Sequence, residues 1–202
     1  RALIDVAFED DALRVDASGM PSLRIPLRES GVPRRDVKLF RRRRYGVPVS
    51  DAADRWFATV LGVRCSLVQM RAQDAVTFAN ERPLHLITEA SVAELNADVE
   101  GDAVPSGRFR PNFVVAGPSP YQEDRWTEVR IGSVAFRRVE PTSRCAVTTV
   151  DSRTGTRGVE PLRTLGRTRS AITLRGRKLH FGQYLTLDGM GGEVHLGDEV
   201  RA

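Results

Sequence analysis

Short runs in which apolar and polar residues alternate occupy much of the chain, a pattern typical of half-buried β-strands. Three such runs, at 2–8, 12–16 and 22–27, are separated by acidic or Gly-Met-Pro turns and predict an antiparallel meander. A fourth strand is predicted over 37–44 and a fifth over 65–70. The first part of the chain is therefore predicted to be a small β-rich unit.

One segment of this unit has the 3.6-residue spacing of an amphipathic helix. Ser50 is suited to cap its beginning, and Gly62 to end it. Its apolar face contains Ala53, Trp56, Phe57, Val60 and Leu61. Polar residues 71–77 then predict a connection to a second β-rich unit.

The second unit combines strands with one short helix, which a capping-box pattern at 91–94 predicts to run through Leu95. Residues 151–180 are rich in Arg, Thr and Gly, show little periodicity and are predicted to form a long functional or mobile loop. The strands are predicted at 83–87, 112–116, 127–131, 134–139, 181–187 and 193–200.

These elements predict a mainly β (α+β) protein of barrel type with a few short helices. We place the domain boundary after residue 74, which gives domains 1–74 and 75–202. The chain begins at Arg1 rather than at a methionine, directly in a strand-like run, and we interpret it as a piece of a longer protein.

Composition narrows the class of protein. A chain of 202 residues with 41% hydrophobic and 28% charged residues can bury a core and is not of the disordered type. No apolar run approaches the ~20 residues that cross a bilayer, and no signal peptide is visible, so we expect no membrane partner. Two isolated cysteines do not make a disulfide framework, which favours a reducing, cytoplasmic-type compartment.

The formal charge is +5, and all but two of the 31 cationic side chains are arginines. Arginine forks suit phosphate and other planar oxyanions, so a phosphate-bearing ligand is plausible. The four arginines at 41–44 would alternate between the two faces of a strand, which divides the patch. We therefore do not expect nucleic-acid binding.

Cys145 is the first candidate for chemistry. It follows Pro141, a short polar turn and Arg144, and it is predicted to open an alternating β-branched strand. A thiol at a strand mouth beside a cation suits either a reactive sulfur or a soft metal ligand. The alternative is a small buried hydrophobic residue.

Two other segments contain more polar groups than folding requires. In 108–112, Pro111 prevents a helix, so the side chains of Arg110 and Asn112 can point in the same direction. Together they could bind a phosphate or the edge of a heterocycle. The alternative is that this segment is only the solvent-exposed beginning of a strand. In 181–184, Gly182 allows close backbone approach beside an amide and the phenol of Tyr184, although packing alone would explain it.

Other chemistries lack their motifs. The three histidines show no metal-ligand spacing, and each is predicted to be a strand or loop residue. Two cysteines do not supply the four thiolates of an iron–sulfur cluster. The chain contains no dinucleotide fingerprint, P-loop or nucleophile elbow. The hydroxyls and carboxylate at 148–151 are explained by a turn.

Taken in order, several segments resemble the MOSC family, named for the C-terminal domain of molybdenum cofactor sulfurase. The resemblance is greatest to the mitochondrial amidoxime-reducing components and their bacterial relatives, and residues 1–70 resemble part of that group's N-terminal β-barrel domain. The matching segments are 83–96, RFRPNFVVAG at 108–117, EDRW at 123–126, 131–139, SRCAVTTVD at 143–151, EPLRTL at 160–165, FGQY at 181–184 and 197–198.

The resemblance implies a molybdenum–molybdopterin cofactor (Moco) with Cys145 as the thiolate ligand of the metal. It also implies that a further cofactor-contacting segment lies upstream of Arg1, and it associates pyridoxal phosphate binding with the family. Asp151 is a guess for a catalytic proton donor. The residues implied to contact the cofactor are Arg110, Asn112, Ser143, Arg144, Cys145 and Tyr184, with Thr88 and Ser91 as further candidates at a helix start.

The predicted function is two-electron reduction of N-hydroxylated compounds such as amidoximes and hydroxylamines. Electrons would come from a separate protein: a cytochrome b5-like protein, a ferredoxin or a flavoprotein. One alternative is a sulfur-carrier or cofactor-handling module in which Cys145 bears a persulfide. The other is a binding protein without metal.

Overall fold

The alternating runs become paired strands in the computed structural model of the chain, which describes residues 4–28, 31–39, 42–70, 82–174 and 176–202. The described residues divide into two units. The first contains those up to Met70 together with Arg153–Gly155, and the second contains the rest. The predicted boundary between residues 74 and 75 lies outside the described residues.

The first unit contains two three-stranded sheets and one helix. The predicted meander is confirmed as an antiparallel sheet in which β2 lies between β1 and β3. A second sheet has the order β4, β5, β6. The strands are β1 Ile4–Glu9, β2 Ala12–Ala17, β3 Leu23–Pro26, β4 Arg35–Leu39, β5 Arg42–Pro48 and β6 Val68–Gln69.

Helix α1, Asp51–Leu61, has the predicted caps. The Ser50 hydroxyl accepts a hydrogen bond from the Ala53 amide at 3.1 Å, and Gly62 ends the helix at a φ of 68°. Trp56 packs with Val15 of β2 and Ile25 of β3 in the core of this unit. The burial of one helical face against the meander thus stabilises both elements.

Two strand predictions in this unit are wrong in length. Within the single predicted strand over 37–44, residues 37–39 belong to β4 and residues 42–44 to β5, and the two strands pair antiparallel. The sequence between them contains no Gly, Pro or Asn that would indicate a break. Of the predicted strand over 65–70, only β6 forms.

The second unit is built on a seven-stranded, near-closed barrel sheet, which confirms the mainly β fold class. The order is β13, β9, β10, β12, β7, β8, and β11 pairs with β12. Only β7 and β8 are parallel among the described pairs. The strands are β7 Leu84–Thr88, β8 Phe113–Val115, β9 Glu128–Ile131, β10 Val134–Ser143, β11 Ser170–Thr173, β12 Gly176–Leu187 and β13 Val200–Arg201, and the helices are α2 Glu89–Ala97 and α3 Leu162–Thr168.

Strand β7 is buried on both faces and separates two apolar clusters. Leu86 belongs to the cluster with Val129, Phe136 and Leu185. Ile87, its neighbour on the opposite face, belongs to the second cluster. That cluster also contains Leu95, Val104, Phe109, Leu165 and Phe181. A polar residue on β7 therefore has to find its partners inside the protein.

The prediction of a long loop over 151–180 is wrong in its second half, where α3 and the β11–β12 hairpin form. The pattern hides them because α3 has only seven residues and all four residues of β11 are exposed. Similarly, only β13 forms from the strand predicted over 193–200. Within the described residues, no helix is long and apolar enough to cross a membrane.

Candidate functional site

Cys145 lies on a surface turn between β10 and α3. Its side chain is an exposed free thiol, so the alternative of a buried hydrophobic residue is wrong. The predicted strand after it is also wrong, because Ala146–Thr149 form a 3-10 turn that Cys145 precedes. The Thr148 and Thr149 hydroxyls donate to the carbonyls of Cys145 and Ala146 at 2.9 and 2.8 Å, a local bonding mode that competes with strand pairing.

Arg144 points in the opposite direction, into the protein. Its Nη2 donates to the Phe109 carbonyl at 2.6 Å, and its Nη1 lies 3.4 Å from Nε2 of His85. The guanidinium lies over the Phe109 ring at 5.3 Å. Its Nε is buried and has no hydrogen-bond partner among the described residues. This side chain is therefore a cation with unused binding capacity.

The electrostatics of Arg144 are unusual for an arginine. Burial lowers its pKa to about 10, and the charges available on Tyr184 and Cys145 offset part of that effect. A bound anion would stabilise the charged form of Arg144 further.

The backbone around Arg144 is fixed by β12. The Arg144 amide donates to the Leu179 carbonyl at 2.8 Å, and Ser143 is paired with His180. Two irregularities in the β10–β12 register precede this point. A bulge changes the direction in which the following side chains point. Here the two irregularities come just before Arg144, whose side chain points into the protein, and Cys145, whose side chain is exposed.

The segment from Arg108 to Asn112 joins the same site. Arg108 donates to the Thr148 carbonyl at 3.3 Å and to Asp151 Oδ2 at 3.2 Å, which holds the C-terminal end of the 3-10 turn. Arg110 adopts a left-handed backbone at a φ of 52° and is exposed. The structure thus brings the predicted residues Arg110, Asp151 and Cys145 onto connected segments.

Asn112 acts on strand β7. Its Oδ1 accepts the His85 amide at 2.8 Å, and its own amide donates to the His85 carbonyl at 2.8 Å. His85 is therefore held on both sides of its backbone by the residue that the sequence proposed as a cofactor contact. The side-chain oxygen of Asn112 is therefore already used in a structural hydrogen bond.

The structure adds His85 to the site, a residue that sequence analysis predicted only to lie in a strand or loop. Its ring is buried beside Arg144 and meets the ring of Tyr184 edge-on at 6.1 Å. Burial and the neighbouring Arg144 lower the pKa of His85 to about 4, so the ring is neutral at pH 7. The one available signal is a histidine within the mostly apolar run 84–88.

Gly182 shows why the glycine of the FGQY segment is needed. Its φ is +76°, and an added Cβ would lie 2.5 Å from Nε2 of His85 and 2.6 Å from the Leu86 carbonyl oxygen. The predicted close backbone approach is confirmed. Tyr184, two residues later, is buried and pairs with His85 across β7 and β12.

Thr88 and Ser91 lie at the start of helix α2, as expected, but their hydroxyls bind a carboxylate of the protein itself. Thr88, not Ser91, caps α2, and both side chains are fully buried. Their hydroxyls contact the carboxylate of buried Glu123, with Ser91 Oγ 2.7 and 2.9 Å from its two oxygens. Because this internal carboxylate occupies the helix start, we leave both residues out of the proposed site.

A second polar network, which the sequence did not suggest, lies beside Glu123. Asp124 accepts hydrogen bonds from Gln183 Nε2 and Arg169 Nη2, both at 2.5 Å. The other end of Gln183 accepts from Arg138 at 2.7 Å, and Arg169 lies over the Tyr121 ring at 4.1 Å. The EDRW segment thus supplies structural carboxylates that tie β12 to its surroundings.

The donor set fits a metal that arrives with an organic anion. The part of the chain that the structure describes contains no group of three or more His, Cys, Asp or Glu side chains able to hold a metal ion. A single exposed thiol can still supply one soft ligand if the remaining ligands come with the bound group. The unsatisfied Nε of Arg144 suits the anionic part of such a group.

Comparisons with known proteins agree with this architecture. A family model described as "MOSC domain" matches residues 73–201, and one described as "MOSC N-terminal beta barrel domain" matches residues 2–64. The two matched ranges lie on either side of residues 65–72.

Three curated relatives illustrate the similarity. Mitochondrial amidoxime-reducing component 1 of Mus musculus is 33% identical over 225 residues, covering 98% of this chain and 64% of the mouse protein. Its counterpart from Homo sapiens is 40% identical over 135 residues, covering 64% of this chain and 40% of that protein. Molybdenum cofactor sulfurase of Oryza sativa subsp. japonica is 32% identical over 188 residues, covering 78% and 22%.

The chain spans less than two thirds of the length of each of these relatives. The MOSC domain model, in contrast, covers more than half of the chain itself, and the matched residues include every segment of the site around Cys145. The chain belongs to the MOSC domain family.

Proposed function

We propose that the protein binds a molybdenum–pterin cofactor through Cys145 and reduces N-hydroxylated compounds such as amidoximes and hydroxylamines. The observation that supports it most is the exposed thiol next to a buried, incompletely bonded arginine on one short turn. The names of the amidoxime-reducing relatives support the reaction class.

In this proposal Cys145 gives the metal its protein ligand, and Arg144 and Arg110 neutralise the phosphate of the cofactor. Asn112, Ser143 and Tyr184 border the same space. When bound, the cofactor supplies a metal that can change its oxidation state by two electrons. Removing the oxygen of an N–OH group consumes two electrons and two protons, releases water and leaves the amine or amidine.

The chain's own residues bind and orient. The 3-10 turn holds the thiol outward, and Arg108 fixes that turn through Thr148 and Asp151. Asp151 is retained as the proposed proton donor because its carboxyl lies at the end of the same turn. Its side chain is about a quarter exposed, so water can reprotonate it.

We propose a separate protein as the electron source, of the cytochrome b5, ferredoxin or flavoprotein type. The two cysteines of the chain do not supply an iron–sulfur cluster. A reducing, cytoplasmic-type compartment would keep both free thiols available.

The test is molybdenum and pterin content per chain after expression of the full-length protein in a host that makes the cofactor. We expect near-stoichiometric molybdenum in the wild type and in Cys65→Ser, and loss in Cys145→Ser. Reduction of benzamidoxime with reduced viologen as donor should follow the same pattern. A wild type without molybdenum, or a Cys145→Ser variant that retains full activity, would contradict the proposal.

The second candidate is a sulfur carrier, supported by the same exposed thiol and by the sulfurase name of the rice relative. Incubation with a cysteine desulfurase and cysteine would then add one sulfur atom to Cys145, which mass spectrometry detects. A persulfide without molybdenum favours this candidate. If neither molybdenum nor a persulfide is found, the result favours the binding protein without metal.

A further inference from the structure

His85 connects the two segments that form the candidate site. Its backbone is held by Asn112 through two hydrogen bonds of 2.8 Å, and its ring faces Arg144, whose Nη1 lies 3.4 Å from Nε2. Strand β7 therefore links the Asn112 side of the site to the Arg144 side through one residue.

The protonation of Nε2 decides which neighbour the ring binds. Arginine offers only donors, so a hydrogen bond from Arg144 needs a lone pair on Nε2. The Phe181 carbonyl oxygen, 3.3 Å from the same nitrogen, is an acceptor and would need a proton there. The two contacts exclude each other in any one protonation state of Nε2.

The surroundings of the ring keep it neutral, so one of its two nitrogens carries a lone pair that can accept a hydrogen bond. A cation beside a buried ring disfavours a second proton on it, and burial and Arg144 together lower the pKa of His85 to about 4. The carbonyls of Phe109 and Arg110 also interact with the ring, so the single proton of the neutral form has other acceptors.

The ring has little room to turn away from Arg144. The backbone of Gly182 passes so close that any Cβ there would collide with Nε2, and Tyr184 borders the ring edge-on. With Nη2 bound to the Phe109 carbonyl, a bond from Nη1 to His85 would use the second inner donor. Nε is buried and has no partner among the described residues, so its N–H remains without a hydrogen bond there.

We propose that His85 is a positioning residue whose unprotonated Nε2 accepts Nη1–H of Arg144 and thereby fixes the guanidinium of that arginine next to the turn of Cys145, where the proposed anion binds. The identity of that anion rests on the proposed function, whereas the orientation of Arg144 does not. His85 is distinct from the residues that touch the cofactor in the proposal.

Nitrogen-15 NMR of the labelled protein tests the orientation without any cofactor. At pH 7 we expect Nε2 of His85 to show the chemical shift of an unprotonated ring nitrogen and Nδ1 that of a protonated one. In His85→Phe, which keeps an aromatic ring but removes the acceptor, the Arg144 Nε–H resonance should move; in His85→Gln it should stay near its wild-type position. A protonated Nε2 in the wild type, or an Arg144 resonance that ignores His85→Phe, would overturn the proposal.

Molybdenum retention tests the consequence. We expect His85→Phe to retain roughly tenfold less molybdenum than wild type and His85→Gln to remain within about threefold, the scale on which outer partners of a bound group act. His195→Phe, a change at an exposed histidine, is the matched control and should retain the metal fully. Equal losses in the Phe and Gln variants would reduce His85 to a packing residue.

Thermal melting of each variant separates misfolding from a loss of orientation. If no variant and no wild type holds molybdenum, the proposed function fails, and the NMR result still decides whether His85 positions Arg144.

Discussion

At the scale of single residues, the site depends on a buried guanidinium without a carboxylate partner among the described residues. The carbonyl of Phe109 and the ring of His85 take the place of a counter-ion. Neither carries a negative charge, so the positive charge of Arg144 remains available to a ligand.

The protonation of His85 makes the free energy of unfolding depend on pH. Its folded pKa of about 4 lies below the ordinary 6.5, because of burial and the charge of Arg144, so its contribution is present above pH 6.5 and lost as pH falls towards 4. Between pH 7.5 and 4.5 we expect this residue to account for roughly 2 to 3 kcal/mol of the free energy of unfolding. Urea titrations at the two pH values, on wild type and His85→Phe, measure it. A variant with the same loss as wild type would contradict the assignment.

Gly182 offers a test of packing in the same place. Gly182→Ala introduces both a strained backbone and collisions with His85 and the Leu86 carbonyl, and we expect a loss of about 3 kcal/mol. Gly189→Ala is the control: its φ is +90°, but nothing lies within 4 Å of the added carbon, so only the backbone strain of about 1 kcal/mol applies. Chemical denaturation compares the two. Equal losses would show that the close approach is not rigid.

The limits of sequence inference at this scale follow from the same residues. The sequence predicts Cys145 as a candidate from its polar setting, and Arg144 from its position next to that thiol. It predicts Gly182 from a requirement of the backbone. His85 could not be predicted, because its partners Arg144 and Asn112 are remote in sequence and an isolated histidine in an apolar run has no pattern.

At the scale of elements, predictions succeeded where a cap and a long apolar face coincide, as in α1. The sequence predicts helix α2 three residues late, because the Ser91 pattern indicates a cap at a position where Ser91 bonds to Glu123, while Thr88 is the residue that caps the helix. Glu123 is remote from α2 in the sequence, so no local pattern near the helix predicts its contact with Ser91.

The start of α2 gives a second pH test with the opposite sign. Burial raises the pKa of Glu123 above its ordinary 4.5, although the Ser91 hydroxyl lowers it in part. The contribution of this group is therefore present below pH 4.5 and lost as pH rises through the folded pKa. We expect Glu123→Gln to gain stability relative to wild type between pH 4.5 and 8. A difference in unfolding free energy that does not change with pH would contradict this.

At the scale of the molecule, several arginines of the second unit lie in ion pairs. Arg163 and Arg167 of α3 both bind Glu100 after α2, at 2.8 and 3.0 Å. Arg169 is bound to Asp124 in the same way. These arginines neutralise acidic groups of the same unit.

Both cysteines are free thiols, which predicts how the whole protein responds to redox reagents. We expect a reducing agent to leave the melting temperature unchanged. Labelling with iodoacetamide should modify exposed Cys145 faster than partly buried Cys65, and mass spectrometry after digestion identifies the order. Faster modification of Cys65, or a melting temperature that drops on reduction, would contradict the placement of the two thiols.

The unsatisfied nitrogen of Arg144 has a consequence for the life of the protein in a cell. A chain that completes the bonding of a buried cation only when an anion arrives is more stable loaded than empty, because a ligand bound only by the folded state shifts the folding equilibrium. Quality-control proteases remove chains that open more often. If the proposed anion binds there, the amount of this protein should follow the supply of that anion, and starvation for it should lower abundance before any change in gene expression.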